Sequence, residues 1–151
     1  WEVALMHPRE VAIRSRLSLI QYKIFHRSCY DRACLLAMGK ASTPQCLRSA
    51  HDRADFFHTI WSCSTLQSYW AAITQEFGRV LGAQVPMDPL FVVLGIPNDV
   101  DLPRYKLLLC NLGLVVAKRD VARMWGVTEC PTLEEWRRGM DVYMLAEKKD
   151  L

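Results

Sequence analysis

At 151 residues and 17.4 kDa the chain has the length of one compact domain, or of one plus an appendage, which excludes a long multidomain enzyme. A hydrophobic share of 51 % with 23 % charged residues excludes a disordered or collagenous chain and supplies enough apolar surface for a sizeable core. The net charge of +3 is small but uneven: residues 1–50 carry 8 basic and 3 acidic side chains, residues 51–100 carry 2 and 5, and the remainder 9 and 8.

In chain order, Ile13, Leu17, Ile20 and Ile24 fall at i, i+4, i+7 and i+11, one stripe of a helix predicted from Val11 to about Arg27. Arg9, Arg16, Lys23 and Arg27 line the edge of that stripe. Two readings of this edge stand: a solvated flank with snorkelling stems, or a groove for a polyanion. A short helix is predicted from about Asp31 to Met38, stopped by Gly39. After the loop from Lys40 to Gln45, Ser64 and Gln67 form the pattern of a capping box ahead of a helix reaching about Gly82. Pro86 and Pro89 bracket a break, and DPLFVVLG reads as a helical turn in preference to a buried strand.

Pro103 suits the first turn of a helix from Arg104 to about Trp125. Its run Leu107–Ala117 is apolar nearly all round, which places it at the centre of the fold, but at 11 residues it is too short to span a bilayer. Lys118, Arg119 and Arg123 are expected on its polar flank. Thr132 and Glu135 form a second capping box behind Pro131, ahead of a last helix carrying Leu133, Trp136, Met140, Tyr143 and Met144. The fold class expected is all-α: a single compact domain over 1–151 of about five or six helices, with residues 46–63 as a turn resembling a zinc knuckle inserted between helices.

Six cysteines without the short spacing of a stapled secreted scaffold, and no hydrophobic leader, point to a reducing, intracellular compartment. Trp1 in place of Met points to a segment of a longer polypeptide. Between Cys46 and Cys63 the chain holds Cys46, His51, His58 and Cys63, a thiolate and imidazole set suited to tetrahedral zinc. His58-x4-Cys63 is the second half of a knuckle, but the first half reads Cys46-Leu47-Arg48-Ser49, and a serine hydroxyl is no zinc ligand at neutral pH. Two readings stay open. His51 completes the set if the turn rearranges, or the metal is gone and Phe56, Phe57, Ile60 and Trp61 hold the turn by packing.

Catalytic patterns are missing from the sequence. It has no aromatic-x-Asp-Asp element, phosphate loop, Gly-x-Ser-x-Gly elbow, His-Glu-x-x-His or dinucleotide fingerprint, so no enzyme activity and no small-molecule substrate are expected of this chain.

The segments RLSLIQYKIFHR, ACLLAMG, ADFFHTIWSC, YWAAITQEFGRVLG, DPLFVVLG, AKR and PTLEEW together resemble the C-terminal region of reverse transcriptases from vertebrate non-LTR (long interspersed element) retrotransposons, over about residues 14–140. The resemblance implies a nucleic-acid-binding accessory domain downstream of a polymerase, found in nucleus and cytoplasm, with RNA or DNA as partner and no membrane. It implies Cys46, His58 and Cys63 as zinc ligands, with Ser49 where the family has its second cysteine. Arg14, Arg16, Lys23, Arg27 and Arg48 become the expected phosphate contacts, since such affinity is largely charge neutralisation. Tyr22, Tyr30 and His26 are the expected stacking residues, and Phe56, Phe57, Trp61 and Trp70 are expected in the core. The rival expectation is a metal-free remnant that acts only as a structural or protein-interaction domain.

Overall fold

The computed structural model describes residues 15–97 and 100–147, and the side chains of 17–97 and 100–145. Among the described residues the chain is all-helical: α1 Ser15–Phe25, α2 Arg32–Ala37, a π-helical turn His58–Ser62, α3 Ser64–Leu81, α4 Pro89–Val92, α5 Arg104–Arg123 and α6 Leu133–Glu147. Arg9 and Arg14 lie outside the described residues, as does the side chain of Arg16.

The helix α5 is the axis of the fold. Cys110 through Lys118 are all buried, so this stretch faces protein on every side. Against it α1 lays Leu17, Gln21 and Ile24, at i, i+4 and i+7; of the expected stripe Leu17 and Ile24 are buried, Ile20 is partly buried with Gln21 taking the inner place beside it, and Ile13 lies outside the described residues. The helices α3 and α6 close the other side, where Phe77 and Trp136 meet edge to face at 5.4 Å and Trp136 Nε1 donates to Gly113 O at 2.9 Å. No described helix is long and apolar enough to cross a membrane.

Local signals account for most boundaries. Asp31 caps α2 by accepting from Cys34 N at 2.7 Å, and Gly39 ends that segment at φ +69°. Asp88 caps α4, with Pro89 in its first turn. The box at Thr132 and Glu135 is closed in both directions: Thr132 N donates to Glu135 Oε2 at 2.8 Å and Glu135 N to Thr132 Oγ1 at 3.2 Å.

The box expected at Ser64 and Gln67 does not form. The π-helical turn runs straight into α3 with Cys63 at the cap position, and Gln67 Nε2 turns back to Trp61 O at 2.6 Å. Two further expectations are corrected. Lys118 is fully buried, not on a polar flank, because its amine reaches Val93 O across the core at 3.0 Å; Arg119 is mostly covered, bonded to Asp120 and lying over the Tyr143 ring. Phe57 is 53 % exposed while Phe56, Trp61 and Trp70 pack inward.

At Gly113 side chains of α3 and α6 press directly on the backbone of α5. A Cβ built there would sit 2.4 Å from Phe77 Cζ and 3.2 Å from Trp136 Cζ2. Mid-helix, Gly→Ala ordinarily gains ~1 kcal/mol of helix propensity, but overpacking a filled core costs ~1–3 kcal/mol. Gly113→Ala is therefore expected to lower stability by up to ~2 kcal/mol in denaturant unfolding; a gain would show that the two rings move aside freely.

Candidate functional site

Three of the four expected metal ligands converge. The ligand atoms of Cys46, His58 and Cys63 lie within 4.8 Å of one another, all three residues are buried, and the group could hold a metal ion. The π winding produces this: Cys63 N donates to His58 O at 3.0 Å, an i to i+5 bond that brings both side chains to one side of the turn. Cys46 arrives on the facing loop, where Cys46 N donates to His51 O at 2.9 Å and Ala50 N to Cys46 O at 3.1 Å. Ala50 takes φ +54°, a left-handed conformation that a tight return turn demands and an alanine adopts at a cost.

The Sγ atoms of Cys46 and Cys63 are 3.9 Å apart, close to the ~3.8 Å that two Zn–S bonds of ~2.3 Å subtend at a tetrahedral angle. Ser49 stands at the remaining corner. Its Oγ lies 3.3 Å from His58 Nε2 and its hydroxyl also bonds the Cys63 thiol. Burial alone would raise the Cys63 pKa, but that hydroxyl, the N–H groups of Leu66 and Thr65 at the start of α3 and the Cys46 thiol together bring it below its ordinary value. Burial, and then the neighbouring His51, lower the pKa of His58, which favours the neutral imidazole a metal requires.

His51 does not join the group. It is exposed, with its ring tilted against His58 at 4.5 Å between centroids, and its main-chain carbonyl is already used by Cys46 N. The donor set that fits a zinc ion is therefore Cys46, His58 and Cys63, with a hydroxyl in place of a fourth strong ligand.

Arg48 is also placed otherwise than expected. Its Nη1 donates to Thr59 O at 3.1 Å and its Nη2 to Met124 O at 2.6 Å, so the guanidinium ties the turn to the end of α5 and is not presented to a phosphate. The two carbonyls explain this: each is left over at a helix end, and arginine's forked donors serve both at once.

Lys23 and Arg27 are exposed, and neither forms an ion pair among the described residues. They sit one turn apart at the C-terminal end of α1. There Ser28 N bonds Lys23 O at 2.8 Å and Arg27 N bonds Ile24 O at 3.1 Å, a closing motif that puts Arg27 at φ +48°. Glycine is the residue that fits this position without strain; here it carries an arginine.

Beside these cations, the Tyr22 and His26 rings meet at 4.2 Å between centroids with their planes tilted by 45°, and Tyr22 and Tyr30 are 54 % and 62 % exposed. Trp125 Nε1 holds the following loop by donating to Tyr30 O at 3.0 Å. No sequence pattern marks the bond from Trp125 to Tyr30; the Tyr22 to His26 spacing of i, i+4 does mark that ring pair. No protein-family model matches the chain.

Proposed function

We propose that this chain is an accessory nucleic-acid-binding domain of a reverse transcriptase of the non-LTR type, itself without polymerase chemistry, with zinc held weakly by Cys46, His58 and Cys63. The observation that carries the reading is the exposed end of α1, where Lys23 and Arg27 stand without carboxylate partners among the described residues, beside the Tyr22–His26 ring pair. Cations neutralise phosphates and release counterions; exposed rings accept bases on their faces at ~1–3 kcal/mol each. Arg27 supports it further, since a residue kept in a left-handed conformation against its steric preference points to a role for its side chain.

Hydrogen bonds brace the turn alongside its thiol and imidazole groups: the Arg48 clamp, the Ser49–His58 bond and the Cys46–His51 bond. Zinc, when bound, would crosslink the two strands of the turn and fix their spacing.

Titration of a labelled single-stranded RNA into the protein is expected to show affinity falling roughly sevenfold between about 50 and about 200 mM salt, the slope for two phosphate contacts on a single strand. Arg27→Gly should lower that slope by ~0.7. It should do so without loss of thermal stability, because relief of ~1 kcal/mol of left-handed strain offsets the greater unfolded-state entropy of glycine. No association at low salt, or binding indifferent to both salt and Arg27, would refute the reading.

A further inference from the structure

We propose that the groove beside Arg27 receives an unpaired nucleobase, which makes this chain a reader of single strands in preference to duplexes. The inference rests on the nucleic-acid reading above and adds to it the class of polymer. The groove encloses about 660 Å³ between the end of α1, the approach to the π-helical turn and α4. That volume lies within the ~300–1,000 Å³ of pockets that enclose organic ligands. Phe25, Phe56, Phe57 and Leu90 contribute to its walls, and Phe57 and Leu90 remain 53 % and 42 % exposed within it.

Its charged residues define the occupant. Arg27 lines the groove and makes no ion pair among the described residues, so a base inside would have its own phosphate at the guanidinium and the next one within reach of Lys23, one turn away. Asp31 and Asp55 also line it. Each has Oδ1 committed to a main-chain N–H, of Cys34 at 2.7 Å and of His58 at 2.8 Å, which leaves Oδ2 to accept from a donor. The exocyclic amino groups of cytosine, adenine and guanine are such donors, whereas uracil and thymine present a carbonyl oxygen there.

The two carboxylates also oppose a phosphate inside the groove itself, so a base enters and its backbone stays outside. An apolar helix laid over the same surface would desolvate both carboxylates and Arg27 without pairing them. A duplex base reaches such a recess only after unstacking that costs a few kcal/mol.

The test uses the full chain and oligonucleotides of ~12 nucleotides carrying one 2-aminopurine, as cytosine-rich and uracil-rich single strands and as matched duplexes. Phe57→Ala and Phe57→Trp accompany the wild type; Phe57 is exposed, and thermal melts verify that both variants fold. The single strand is expected to bind at least ~10-fold tighter than its duplex, with the 2-aminopurine emission changing on binding. Phe57→Ala should weaken single-strand binding by ~5- to 50-fold while the salt slope and duplex affinity stay unchanged, and Phe57→Trp should retain it. Cytosine-rich strands should bind more tightly than uracil-rich ones.

Equal affinity for single strand and duplex, or no effect of Phe57→Ala, would overturn the groove proposal while salt-dependent binding preserved the wider reading. Absence of any salt-dependent binding would overturn both. A concentration-dependent dimer abolished by Phe57→Ala would also overturn the proposal, by making the groove a contact between chains.

Discussion

Ser49→Cys is expected to convert a group that loses its zinc during gel filtration into one that keeps about one zinc per chain. The two thiols and the imidazole are already within 4.8 Å of one another, and Ser49 Oγ already touches His58 Nε2 at 3.3 Å, so the new sulfur enters at the open corner without a change of backbone. Replacing a neutral hydroxyl with a thiolate supplies the fourth strong donor of a structural site. Zinc affinity should rise by well over ~100-fold, the upper range for changing a mere supporting partner of a ligand. With zinc at ~100 times the new dissociation constant, the folded state gains ~2.7 kcal/mol, and melting should move up by ~5–10 °C for a chain of this size. Chelator should reverse the gain in the variant and shift the wild type little, since hydrogen bonds also brace its turn. A variant that melts alike with and without zinc would show that the three donors do not form a tetrahedral site.

Local chemistry was legible in the sequence and long-range polar pairing was not. Asp31, Gly39, Asp88 and the Thr132–Glu135 box act within a few residues of themselves, and the structure places each where its spacing implies. Cys46, His58 and Cys63 were legible for a similar reason, since two of them are brought together by a single turn. The Ser64–Gln67 box is the local exception, because the π-helical turn takes the cap position and Gln67 turns back to Trp61 O; the other failures arise from pairing and packing that no local spacing carries. Lys118 and Arg48 find carbonyls 25 and 76 residues away, and no helical wheel can tell a solvated cation from one whose partner lies across the core. His51 sits at a usable spacing, but the reversal at Ala50 turns its ring outward. The exposure of Phe57 depends on how α4 stands off from the approach to the π-helical turn, and its spacing beside Phe56 carries no sign of that.

The polar core gives the second large effect. Among the described residues Lys118 Nζ donates to Val93 O alone, an acceptor it shares with Gln21 Nε2 at 3.2 Å, and burial pushes its pKa down to about 7. An unfolded lysine keeps its proton to ~10.4. Between these values the unfolded chain binds the extra proton, so stability rises with pH, by up to ~1.4 kcal/mol per unit, and below about 7 the full cost of the buried amine persists. Burial holds the Cys110 thiol up at about 11, which removes stability above about pH 9, so the window for Lys118 is from 7 to 9. Lys118→Met keeps the volume and length of the side chain, removes the titration, and leaves Val93 O its bond from Gln21. Allowing ~1 kcal/mol for the lost hydrogen bond, the variant should be ~2–4 kcal/mol more stable at pH 7. Its melting point should be higher by ~5–15 °C, and its advantage should shrink steadily towards pH 9. Denaturant unfolding of both proteins at pH 7, 8 and 9 measures that difference, in which Cys110 and every other shared group cancel. A constant difference across the three pH values would mean that Lys118 holds its proton inside the fold, and a less stable variant would mean that the amine contributes more through Val93 than its burial costs.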